Sequence, residues 1–130
     1  MYTVAVQREF IAQHYLIGGD FGPENTSHSH TYRVEWRLVG EALDRHGFLV
    51  DIDVVCAGLE AVLAGFRDKT LNELPEFRGL NPSIEHLARI LCAALRSRLP
   101  DARLREVTVT IWESPAAWAA FTETISPSGG

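Results

Sequence analysis

Three of the chain's five histidines fall in one stretch, residues 10–32, FIAQHYLIGGDFGPENTSHSHTY. His28 and His30 head an alternating run, Thr31-Tyr32-Arg33-Val34-Glu35-Trp36-Arg37-Leu38-Val39, whose β-branched and aromatic residues predict a strand. Side chains two apart on a strand leave the same face, so the two imidazoles can converge on one point. His14 closes an earlier strand-like stretch, Tyr2 to Tyr15, and an antiparallel hairpin joining the two stretches would set it beside the pair. Three neutral imidazoles at one point hold zinc with a fourth position free for water or substrate. Spacing alone leaves a plainer alternative open, in which the pair are partly exposed strand residues.

The elements that must position these rings follow from periodicity. Over residues 2–15, Tyr2, Val4, Val6, Phe10, Ala12 and His14 share one face, interrupted by Arg8, and Thr3, Gln7, Glu9 and Gln13 take the other. That is a half-buried strand. Residues 16–27 carry Gly18-Gly19, Gly22-Pro23 and the polar run Glu24-Asn25-Thr26-Ser27. Such breakers predict a loop without regular structure, and long loops of that kind are often functional. The second strand runs to Val39, and a polar turn spans residues 40–47.

From Asp51, a good N-cap, the period changes. Ile52, Val55, Cys56, Leu59, Val62, Leu63 and Phe66 trace one helical face, and residues 67–80 read as irregular. A second helix opens at Asn81-Pro82-Ser83, with Pro82 in its first turn, turns Ile84, Leu87, Ala88, Leu91, Ala94 and Leu95 inward, and stops at Pro100. Strands three and four span 106–113 and 116–125, and the tail 126–130 is expected to be loose. The order ββααββ specifies an α+β fold: a four-stranded antiparallel sheet with two helices on one face. Its other face, expected to carry Trp and Val side chains, and its open edges both favour oligomerisation.

At 130 residues the chain is expected to be one domain over 1–130. A net charge of −5 argues against a nucleic acid held through its phosphates. No apolar run approaches a membrane span of roughly 20 residues, and the N-terminus lacks a signal-peptide layout, so the expected location is cytoplasmic. Cys56 and Cys92 lie in apolar helical patterns, outside metal spacing, as small buried hydrophobes. His46 and His86 are out of register with the other three and read as surface or packing residues.

Phe10-x-Ala12-x-His14, a loop, then His28-x-His30-x-Tyr32 and a strand resembles the 6-pyruvoyltetrahydropterin synthase / 6-carboxytetrahydropterin synthase family. Gly47-Phe48-Leu49-Val50-Asp51-Ile52, Leu71-Asn72, Asn81-Pro82-Ser83-Ile84-Glu85-His86-Leu87-Ala88 and Val107-Thr108-Val109-Thr110-Ile111-Trp112-Glu113 follow in the family's order. His-Ser-His stands where the family usually has His-Gly-His. The resemblance implies a T-fold (tunnelling fold), protomers joined into a trimeric barrel, and two trimers stacked as a homo-hexamer. It implies zinc on His14, His28 and His30, Lewis-acid chemistry on 7,8-dihydroneopterin triphosphate, and a pterin ring anchored by Glu113 through paired hydrogen bonds. Ser83 stands where the family has a Thr near the pterin, and a helix cap is an equal reading of it.

The proton-transfer groups depart from the pattern. The family's general base is a Cys four residues before the first His of the pair, and here that position is Glu24. Its Asp-His pair before Leu-Asn corresponds to Arg67 and Asp68, or, shifted by one, to Asp68 and Lys69. Three readings of Glu24 stay open: a substitute base, a bystander in a protein that binds pterin without turnover, or a solvated loop carboxylate. A branch of the family that cleaves the side chain to 6-hydroxymethyl-7,8-dihydropterin sets its Glu one residue nearer the His, where this chain has Asn25.

Overall fold

In the computed structural model, which describes residues 1–100 and 103–125, the chain runs β1 (Tyr2–His14), β2 (His28–Gly40), α1 (Ile52–Leu63), α2 (Ile84–Leu95), β3 (Glu106–Ser114) and β4 (Ala117–Thr124). The tail expected to be loose, 126–130, lies outside the described residues. The strands pair in sequence order, β1-β2-β3-β4, each antiparallel to the next. This is the ββααββ sheet that the alternation predicts.

Alternation sets the two faces. Val6, Phe10 and Ala12 of β1, Tyr32, Val34, Trp36 and Leu38 of β2, and Val107, Val109 and Ile111 of β3 are buried under the helices. Each helix lays one apolar stripe on that layer: Val55, Leu59 and Leu63 from α1, and Leu87, Ala88, Leu91 and Leu95 from α2. Asp51 caps α1 by accepting from the amides of Asp53 and Val54, and Ser83 caps α2 by accepting from the His86 amide.

Several boundaries differ from the sequence reading. Ile52 sits at the first turn of α1, beyond the sheet, and is 54% exposed. Phe66 is buried from a turn after the helix rather than from its last turn. Pro82 precedes the cap Ser83, so it lies outside the first turn, and Ala94 faces solvent while Ile90 and Cys92 are buried. Cys56 is only half-buried. The loop 16–27 contains a 3₁₀ turn, Gly22–Asn25, in which Gly22 supplies a positive φ of 66° and Pro23 fixes its own φ in the helical range.

The face away from the helices is more polar than expected, although Ile11 and Val39 lie on it. The valines of β3 point to the helices, and the outer positions carry Glu9, Arg33, Glu35, Arg37, Thr108 and Thr110. Tryptophans Trp112 and Trp118 do face outward, directly opposite one another. The β1 edge is also partly closed: the Asp68 amide donates to the Ile11 carbonyl and the Gln13 amide to the Lys69 carbonyl. The β4 edge carries Trp118, 61% exposed. Among the described residues, no helix is long and apolar enough to cross a membrane.

Candidate metal centre

The β1–β2 register pairs His14 directly with His28 and Ala12 with His30. His14, His28, His30 and Tyr32 therefore share the helix-side face at the end joined by the 15–27 loop. Ala12, opposite His30, adds only a methyl group and leaves that ring room beside His14. The three rings form a near-equilateral group, with centroids 4.5, 4.6 and 4.8 Å apart. One nitrogen from each lies within 4.8 Å of the others.

Hydrogen bonds decide which nitrogens are free. Nδ1 of His28 stands 2.8 Å from the Thr26 carbonyl oxygen, which only accepts, so Nδ1 carries the proton and donates. That leaves the Nε2 lone pair exposed to the cluster, and Nε2 is buried with no hydrogen-bond partner. An unpaired buried acceptor is costly, about 1–3 kcal/mol, and a cation in the cluster would satisfy it. His14 is 6% exposed, and its Nδ1 lies 2.7 Å from the Tyr32 hydroxyl. Burial, then the neighbouring His30 and His28, lower its pKa from 6.5 to about 4, so the ring is neutral near pH 7. Neutral imidazoles with one buried, unpartnered nitrogen are the donor set that Zn²⁺ binds, so the residues present fit this ion.

Side-chain amides hold the chain on either side of the cluster. The Asn72 amide accepts from the Tyr15 N–H and donates to the Tyr15 carbonyl; Asn81 does the same at Ile17. Each amide acts as one rung of an absent neighbouring strand, extending β1 past His14. Asn25 accepts from the Phe21 amide and donates to the carbonyls of Leu16 and Gly19, tying the loop to itself. The motif residues Asn72 and Asn81 thus position the metal end, a role the sequence reading did not assign them. Alternation gives no signal for it, because an Asn that pairs with distant backbone looks like any loop Asn.

The remaining site candidates divide. A cavity of about 410 Å³ on the outer face of the sheet is lined by Glu9, Arg33, Trp112 and Glu113, among others, with His30 the one member of the cluster at its rim. Glu113 shares that rim with His30 and lies near enough to Tyr32 that its charge, after burial, raises the phenol's pKa and keeps it protonated. Arg33 lies over the Trp112 ring, 5.8 Å from its centroid. Ser83 does not line the cavity; its hydroxyl caps α2. Glu24 sits exposed in the 3₁₀ turn, its carbonyl accepting from the Leu16 amide. Among the described residues, its carboxylate has no hydrogen bond or ion pair. Arg67 pairs with Glu60, and Asp68 occupies a left-handed turn, φ 62°, that delivers its amide to β1. His46 lies in an exposed turn, and the His86 ring accepts from Arg89.

The sequence model of the family described as 6-pyruvoyl tetrahydropterin synthase matches residues 3–124. A protein of Pyrococcus abyssi, provisionally named a 6-carboxy-5,6,7,8-tetrahydropterin synthase, is 25% identical over 94% of this chain and 90% of its own length. The structure of Caenorhabditis elegans 6-pyruvoyl tetrahydropterin synthase superposes with a TM-score of 0.79 at 23% identity, covering 95% of this chain and 98% of that one. Plasmodium vivax 6-pyruvoyltetrahydropterin synthase, in a form altered at a catalytic glutamate, superposes with a TM-score of 0.76 at 16% identity, covering 96% and 100%. The sheet and its two helices are those of the T-fold.

Proposed function

As a member of the 6-pyruvoyl tetrahydropterin synthase family, this chain is, we propose, a zinc-dependent lyase acting on the side chain of 7,8-dihydroneopterin triphosphate or a close relative. The observation that carries the reading is the unpartnered, buried Nε2 of His28 facing the rings of His14 and His30. Those three residues would hold the metal. Bound there, zinc would supply Lewis-acid polarisation of a side-chain oxygen, acidifying the C–H bonds beside it.

The protein's own groups divide the remaining work. Glu113 borders the cavity next to His30, where a carboxylate can accept two parallel N–H bonds from an amino-pyrimidine edge. That contact would orient the ring so that its side chain reaches the histidine cluster. Glu24 stands where the family has its Cys base. In the Plasmodium vivax relative a glutamate is named as a catalytic residue, and by that precedent Glu24 would take the proton. Ser83 is a secondary substrate contact only if its hydroxyl leaves the α2 cap. The whole chain, 1–130, would act as one domain within a homo-hexamer, two trimers stacked. Trp118 on the unpaired β4 edge supports such pairing.

A second reading keeps the metal and the ring pocket without turnover. It is favoured by the exposed, unpartnered Glu24 carboxylate and by the lack of the family's Cys and Asp-His pair. Incubation with dihydroneopterin triphosphate, with the products identified by mass, separates the two. Loss of triphosphate with all carbons retained marks the synthase reaction. 6-Hydroxymethyl-7,8-dihydropterin or 6-carboxytetrahydropterin marks side-chain cleavage, and binding with no new product marks the silent form.

A further inference from the structure

Tyr32 is fully buried in the layer beneath the helices, yet its hydroxyl does not point into the apolar core. It meets His14 Nδ1 at 2.7 Å, the one hydrogen bond made by that ring among the described residues. The phenyl body is packed against Phe10, with centroids 5.4 Å apart, and against the His30 ring, 5.6 Å away. The hydroxyl is therefore a fixed point, carried by the rigid centre of the sheet to the metal end.

His14 needs such a point more than its neighbours do. His28 takes its orientation from the Thr26 carbonyl, two residues away on its own chain. His14 is the last residue of β1 and its ring is turned inward, so Nδ1 faces side chains rather than main-chain carbonyls. We propose that Tyr32 is a positioning residue for the metal centre: its hydroxyl accepts the Nδ1 proton of His14, which fixes the tautomer and presents Nε2 to the ion. A neutral phenol can fill this role because its oxygen keeps lone pairs able to accept alongside its own O–H. The Thr26 carbonyl and the Tyr32 hydroxyl then act in parallel, one on each of two ligands.

A structural alternative makes the opposite assignment. If Tyr32 instead donates to Nδ1, the ring is protonated on Nε2, and the hydroxyl serves packing alone. The two differ in what happens to the metal, since outer partners of ligating histidines typically contribute 10–100-fold to metal affinity, to order of magnitude.

The inference rests on the zinc reading above, and its test separates the two. Zinc affinity is measured by competition with a chelating indicator on metal-free wild type and Tyr32→Phe, alongside the visible spectrum of each protein loaded with Co²⁺. The expected result is binding roughly 10–100-fold weaker in Tyr32→Phe, with a shifted Co²⁺ spectrum and unchanged far-ultraviolet dichroism. Equal affinity and superimposable spectra would overturn the inference while leaving the zinc site standing. A wild type that binds no zinc would remove both. Should Tyr32→Phe fail to fold, nitrogen-15 spectra of the zinc-loaded wild type decide: a proton on His14 Nδ1 supports the assignment, and metal on Nδ1 contradicts it.

Discussion

His14, His28 and His30 are set by strand register at one end of the packed layer, and two of the three rings are further fixed by hydrogen bonds. Glu24 and Glu113 have neither kind of restraint: one sits in a surface turn, the other near the end of β3, and both are exposed. The three histidines are thus brought together within a single chain. The carboxylates depend on something further, whether substrate or a second copy across an edge, to bring them to a working geometry. Metal binding and substrate handling should therefore fail independently.

The largest expected effect tests the less organised half. With dihydroneopterin triphosphate as substrate, Glu24→Gln should lower turnover roughly 10²–10⁴-fold, the usual contribution of a general base, with zinc content unchanged. An unaltered rate would make Glu24 a solvated loop carboxylate. Next, Asn72→Ala removes both hydrogen bonds to the Tyr15 backbone. It should cost about 1–3 kcal/mol in urea unfolding, and weaken zinc binding although no ligand is touched. Stability lost with zinc affinity intact would show that the clamp does not reach the cluster.

Acid sharpens the comparison from the other side. The folded chain holds the His14 pKa near 4, below the 6.5 of a free ring. As pH falls below 6.5 the unfolded chain takes up this proton first, so the metal-free protein should lose stability from about 6.5 to 4, then level off. Thermal unfolding of the metal-free form across that range gives the profile. A flat profile would place His14 in solvent rather than under the helices. The smallest effect is a control: His46→Ala, in an exposed turn, should stay within about ±0.5 kcal/mol of wild type and keep its zinc.

Much of this was legible in the sequence, for reasons that also mark the limits. Period-2 alternation in residues 2–15 and 28–39 fixes which side chains share a face, so His14, His28 and His30 could be brought together before any coordinates. Asp51 and Ser83 were recognisable as caps because their effect is local. The clamps by Asn72 and Asn81 were not, since they join residues 57 and 64 positions apart. Tyr32 did carry a signal, being two residues beyond His30 on the same face, but its hydrogen bond depends on the exact β1–β2 register. The outer face is more polar than its Trp and Val content suggests, because Glu9, Arg33, Glu35 and Arg37 take the alternate positions of β1 and β2.

The central claim is that these three histidines form a zinc site. Metal analysis of wild type and His28→Ala, both purified without chelator, tests it most directly. About one zinc per wild-type chain is expected, as three imidazoles with an open fourth position imply, falling to near none in the variant. No metal in the wild type, or equal retention in His28→Ala, would contradict the account.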